Sequence, residues 1–186
     1  MLILLPPSET KAHARRGKPV DLAGLAFPEL TATRLRVLDA LVATSRLPDA
    51  LGRLGVPDGA ADQVAANLDV LSSPTLPAAR LYTGVLFEAL ELADLDAASR
   101  RRAASRLVVA SALWGFSRIT DRLPAYRLSA GARLVDVGPV ASAWRAALGA
   151  AMPAVAGAGL VVDCRSGGYA SMWRPSGVLA TGRCRW

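Results

Sequence analysis

Short apolar runs closed by proline, glycine or charge alternate along this chain with stretches of helical spacing. Residues 1–5 are wholly apolar and stop at Pro6-Pro7. That pattern predicts a buried strand whose end delivers Ser8, Glu9 and Lys11 to a loop. Residues 107–110, with the β-branched pair Val108-Val109, predict a second strand, and residues 160–162 a third. From Thr31, read as an N-cap, the spacing predicts a helix with Leu35, Leu38, Val42 and Ser45 on one face and Arg34, Arg36 and Asp39 turned away. After Gly55-Val56-Pro57 a shorter helix is predicted over residues 58–68, so that 31–69 forms a helical hairpin.

Further along, residues 81–92 read as helical, and Asp96 as the cap of a helix through Arg100, Arg101 and Arg102. Residues 112–131, rich in polar and aromatic side chains, read as a long functional loop. Residues 138–152 return to helical spacing until Pro153, which is expected to end that helix. Strands separated by helices argue for an α/β or α+β layered fold with sites at the strand ends.

Length and composition narrow this picture. The 186 residues suit one domain, and 52% hydrophobic against 20% charged residues is a globular balance. No apolar run reaches the roughly 18 to 20 residues of a membrane span, and no signal-peptide h-region can be drawn, so the expected location is cytoplasmic with no membrane partner. Cys164 and Cys184 lack metal-type spacing, and both are read as thiols.

The formal charge of +7 comes from 20 arginines and two lysines, Lys11 and Lys18. Arginine forks suit phosphate and carboxylate, although the same bias follows from a GC-rich genome. Residues 13–19 read as a surface loop exposing Arg15, Arg16 and Lys18, a candidate contact for nucleic-acid backbone.

Ser8-Glu9-Thr10-Lys11 has the S-x-x-K spacing in which a lysine activates a serine, but Ser-Asp-Asn and Lys-Thr-Gly are absent. Anion binding through Lys11 is the more conservative reading. His13 is the only histidine, which argues against a catalytic triad and against a multi-histidine metal site, so no metal and no cofactor are expected. Arg165, Ser166, Gly167 and Gly168 read either as an anion nest or as a tight turn. Walker and G-x-G-x-x-G patterns are absent.

Four blocks in order resemble the YaaA peroxide-stress family, also called DUF328 or UPF0246. They are LILLPPSETK at 2–11, LYTGVLFEAL at 81–90, SALWGFSRITDRLPAYRLSAG at 111–131 and VVDCRSGGYASMW at 161–173. The resemblance implies a compact α/β fold with a mixed central sheet, surrounding helices, and a helical hairpin beside a basic cleft. It implies a role in limiting oxidative damage and free iron, with DNA or a nucleotide-like anion as partner.

Carried over by position, Ser8, Lys11, Tyr82, Thr83, Ser111, Arg118, Asp121, Tyr126, Arg127, Ser166 and Tyr169 match family motifs; with Arg165 they form the expected cleft. Ile119-Thr120 and Ser129-Ala130 depart from the family pattern. The resemblance covers residues 1–173 as one domain, and it implies that residues 174–186 are a shortened, irregular tail. The alternatives are an enzyme acting on a small phosphate- or nucleobase-containing metabolite, with Lys11, Asp121, Tyr126 or Tyr169 as acid-base groups, and an inactive truncated paralogue.

Overall fold

The structure, a computed structural model, describes residues 1–175 and the backbone of residues 182–183. Most of the predicted tail, with Cys184, lies outside the described residues. In chain order the elements are β1 (Leu2–Leu5), α1 (Thr31–Ser45), α2 (Ala50–Leu54), α3 (Ala61–Ala65), β2 (Leu76–Pro77), α4 (Ala78–Leu81), α5 (Val85–Ala89) and α6 (Ala97–Arg106). There follow β3 (Leu107–Ser111), β4 (Gly115–Arg118), β5 (Arg122–Leu123), β6 (Arg133–Leu134), β7 (Gly138–Pro139), α7 (Val140–Ala156), β8 (Val161–Asp163), α8 (Gly167–Ala170) and β9 (Gly182–Arg183). Among the described residues the main sheet runs β4-β3-β1-β8-β9. This is a mixed α/β fold.

β1 lies parallel to both β3 and β8, with Ile3 opposite Leu107 on one side and Val162 on the other. A central parallel strand is covered on both faces, which is why residues 2–5 show no polar alternation. β1, β3 and β8 therefore release their chain at the same edge of the sheet. β1 leads there to Pro6–Lys11, β3 to Ser111–Trp114, and β8 to Cys164–Tyr169.

Asp96 caps α6 as predicted, its carboxylate accepting the N–H groups of Ala98 and Ser99. Four other expectations are corrected. The face that α1 buries is Arg34, Val37, Leu38, Leu41 and Thr44, while Leu35 is exposed. Arg34 is buried because its Nε donates to the carbonyl of Trp114 and its Nη2 to those of Ala26 and Phe116. Acceptors so distant in the chain leave no local pattern. Thr31 is not the cap, since a 3-10 turn at Pro28–Leu30 already leads into α1. The helix expected over 81–92 is broken between α4 and α5, where Gly84 takes φ +104°. Pro153 does not end α7; the last turn runs on to Ala156, and Gly157 N–H closes it on the carbonyl of Pro153.

The stretch 112–131 is largely buried and contains β4, antiparallel to β3. Gly115, at φ +72°, makes the turn between them; a Cβ there would lie 2.6 Å from Cζ3 of Trp144. Trp144 reaches this turn from α7 and donates its indole N–H to the carbonyl of Ala112 at 2.7 Å. The β3–β4 turn is therefore sealed by a helix from the second half of the chain.

Candidate functional site

After Pro6-Pro7 the chain doubles back beside the segment that follows α4. Lys11 pairs with Tyr82 in an antiparallel bridge, and Ala12 N–H donates to the carbonyl of Leu81 at 2.8 Å. The pairing fixes Tyr82 under Lys11. The hydroxyls of Tyr82 and Tyr126 lie 3.2 Å apart, and those of Tyr126 and Ser111 2.7 Å apart. Ser111 Oγ also accepts the Trp114 N–H. This chain of three buried hydroxyls ties together the end of β3 and the segments that follow α4 and β5. Burial holds both phenols protonated, raising Tyr82 to about 12 and Tyr126 well above the ordinary value.

Lys11 sits on the outer side of this network. Its Nζ lies 4.5 Å from the ring centre of Tyr126 and 5.8 Å from that of Tyr82, and it donates to the carbonyls of Ser8 at 3.0 Å and Glu9 at 3.3 Å. Burial, with the nearby Arg127 guanidinium adding to it, brings the Lys11 amine down to about 8, although Glu9 partly opposes the change. Arg127 meets the carboxylate of Glu9 at 3.6 Å, but that carboxylate is 86% exposed and screens little. Two cations thus share one partly desolvated corner.

The helical segment positions Arg127. Asn67, fully buried in a 3-10 turn at Ala66–Asp69, accepts the Arg127 N–H at 2.8 Å and donates to the Arg127 carbonyl at 3.0 Å. Sequence reasoning missed Asn67; an asparagine inside a helical run was the only signal. Lys11 and Arg127 both line two recesses. One of about 180 Å³ also includes His13, Gln63, Ala125 and Tyr126. The other, of about 80 Å³, includes Ser8, Ser129 and Tyr169. Tyr169 has its phenol pushed up, first by burial and next by Tyr126.

Ser8, Thr10 and Thr83 form a hydroxyl chain with spacings of 3.2 and 3.1 Å. A Cβ on Gly84 would lie 3.3 Å from Ser8 Oγ, so this close approach also favours glycine. The Lys11 amine bonds the carbonyl of Ser8 while the hydroxyl of Ser8 bonds Thr10. The geometry therefore does not pair them as nucleophile and base.

The single cleft drawn from sequence divides. Ser8, Lys11, Tyr82, Thr83, Ser111, Tyr126, Arg127 and Tyr169 gather at the strand ends. Asp121 instead accepts the N–H groups of Ala26 and Arg118, and burial raises its carboxyl. Arg118 donates to the carbonyl of Ser105 and covers the ring of Phe27. Asp121 lines a separate recess of about 490 Å³ with Lys18, Asp21 and Arg122.

Arg165 is 8% exposed; it grips the Asp163 carboxylate at 2.8 and 2.9 Å and donates to the carbonyls of Tyr169 and Trp173. Its donors fasten the Ser-x-x-Tyr turn. Ser166 precedes α8, and Gly167 and Gly168 lie within that helical turn without the positive φ of a nest. Arg15, Arg16 and Lys18 are exposed, and the carbonyl of Lys18 accepts the N–H and hydroxyl of Thr75. Among the described residues no group of three His, Cys, Asp or Glu is placed to hold a metal, and no helix is long and apolar enough to cross a membrane.

The family model described as peroxide stress protein YaaA matches residues 1–183. A UPF0246 protein of Streptomyces coelicolor is 47% identical over 182 residues, which is 97% of this chain and 70% of that protein. UPF0246 proteins of Corynebacterium efficiens and Corynebacterium glutamicum are 40% and 39% identical, over 96% and 94% of this chain and 72% and 70% of their own.

Proposed function

Because the chain belongs to the YaaA peroxide stress protein family, whose general role is in peroxide stress, we propose that its strand-end recess binds an anion, the phosphate of DNA or of a nucleotide-like molecule. Through that binding it contributes to limiting oxidative damage and free iron. The observation that carries this reading is the Lys11 amine on the face of Tyr126, with the Arg127 guanidinium lining the same recesses and near enough to lower the amine's proton affinity. Like charges held together in a partly dry corner repel, and an anion between them relieves the repulsion while gaining charge-assisted hydrogen bonds. Asn67 grips the Arg127 backbone from both sides and so keeps the guanidinium's starting point fixed. On the exposed loop, Arg15, Arg16 and Lys18 add backbone contacts for a longer strand.

The test is a titration of labelled duplex and single-stranded DNA, and of ATP as a nucleotide, at two salt concentrations. Binding should weaken as salt rises, because phosphate contacts release counterions. Arg127→Ala should weaken it at least tenfold while circular dichroism stays unchanged. Absence of binding by all three probes at low salt overturns the reading.

A second reading, that of an enzyme acting on a small phosphate-bearing metabolite, is favoured by the lowered Lys11 amine and the small recess beside it. The two readings share the anion and differ in whether a bond is made.

A further inference from the structure

A neutral amine has two N–H donors and one lone pair. The Lys11 nitrogen has two carbonyl acceptors, those of Ser8 and Glu9. With both N–H groups so engaged, its third position holds a proton in the ammonium and the lone pair in the amine. Lys11 also lines two recesses that Arg127 shares. From this geometry we infer that Lys11 is an amine nucleophile that condenses with the carbonyl of an aldehyde or ketone whose phosphate or carboxylate Arg127 holds. The inference rests on the anion-binding reading of the same recess.

The bond changes are closed without any oxidant or reductant. The amine nitrogen bonds to the carbonyl carbon, and the carbonyl π pair moves to oxygen. One of the two protons already on the nitrogen, now positively charged, passes to that oxygen, giving a neutral carbinolamine. A further proton from solvent lets the oxygen leave as water while the nitrogen lone pair forms C=N. The sum is amine plus carbonyl plus a proton giving an iminium ion and water.

The surroundings suit both ends of this sequence. The rings of Tyr126 and Tyr82 remove water from the ammonium but offer their electron-rich faces to the iminium. Arg127 opposes the ammonium and holds the anion that offsets the product charge. Glu9, the nearest carboxylate, is too exposed to clamp the ammonium firmly. His13, Tyr82, Tyr126 and Tyr169 complete the titratable groups facing the two recesses or the amine. At pH 7.5 an amine titrating near 8 is neutral roughly 200 times more often than an ordinary lysine.

The chain's two lysines make the experiment specific. Wild-type protein at pH 7.5 is incubated with pyruvate, with ribose 5-phosphate, or with a duplex carrying one abasic site, then reduced with borohydride and mapped by mass spectrometry. The expected result is a single reduced adduct on Lys11, with the exposed Lys18 and the Met1 amine labelled at least tenfold less. The Lys11→Arg variant keeps the charge but lacks the amine, and should form no adduct at position 11. Labelling by ribose 5-phosphate or pyruvate assigns a free metabolite, whereas labelling by the abasic duplex alone assigns a DNA sugar. Retained anion binding with no Lys11 adduct from any probe overturns the imine and leaves the binding reading intact. Equal labelling of Lys18 or Met1 also overturns it, and loss of both binding and adduct overturns both readings.

Discussion

Replacing Arg34 with alanine removes a guanidinium that is 0% exposed and leaves the carbonyls of Trp114, Ala26 and Phe116 without the donors that reach them at 3.0, 2.7 and 3.0 Å. A hydrogen bond from a charged donor contributes about 1.5–3 kcal/mol, and a buried acceptor left bare costs a further part of its desolvation. The lost stem adds a cavity. Against this, the variant no longer buries a cation; that penalty is visible in the Arg34 guanidinium, brought down to about 10 chiefly by burial with Asp121 and Glu29 opposing. Burial gains and costs therefore offset in part, and a net loss of ~3–5 kcal/mol is expected, as for a broken buried charge network.

Urea unfolding followed by circular dichroism reads this directly. With a slope of about 2 kcal/mol per molar, the midpoint should fall by ~2 M. Arg34→Lys should recover only a fraction, since one ammonium cannot match a planar fork spread over three carbonyls. The difference should hold from pH 6 to 9, where Arg34 stays protonated. Because folding lowers its proton affinity, the cation's penalty persists below about 10 and is relieved as pH rises above it. A loss under 1 kcal/mol for Arg34→Ala would refute the argument that this arginine anchors the β3–β4 turn to α1.

Gly115→Ala should destabilise by ~3 kcal/mol or more, because it combines φ +72° with a Cβ placed 2.6 Å from the Trp144 ring; calorimetry on the variant checks it, and an unchanged Tm would contradict the packing. Lys11→Met removes an amine whose proton affinity is lowered on folding, so its charged form opposes folding below about pH 8 and that opposition fades between 8 and 10.5. Chemical unfolding should show Lys11→Met gaining on wild type by an amount of order 2 kcal/mol more at pH 6.5 than at pH 10.5. The opposite slope would mean that the amine is stabilised as a cation.

Hydrophobic runs were enough to locate β1, β3 and β8, because strands covered on both faces must be apolar throughout and are short. Asp96 was legible as a cap because a cap acts within three residues of itself. The polar cluster after β1 and the Ser8, Lys11, Tyr126, Arg127 and Tyr169 grouping were also within reach, since parallel strands empty at one edge and carry their following residues there together. What tertiary structure alone decided is which polar groups face a recess and which brace the backbone. Arg34, Arg118 and Arg165 carry the same charge as Lys11 and Arg127, and Asp121 is as polar, but their donors and acceptors close on carbonyls, amides or carboxylates 2 to 95 residues away. Asn67 positions Arg127 across 60 residues. Composition and spacing record the kind of group a position carries; only the packed chain determines its partner, because hydrogen-bond acceptors reach these side chains through space and leave no mark on neighbouring residues.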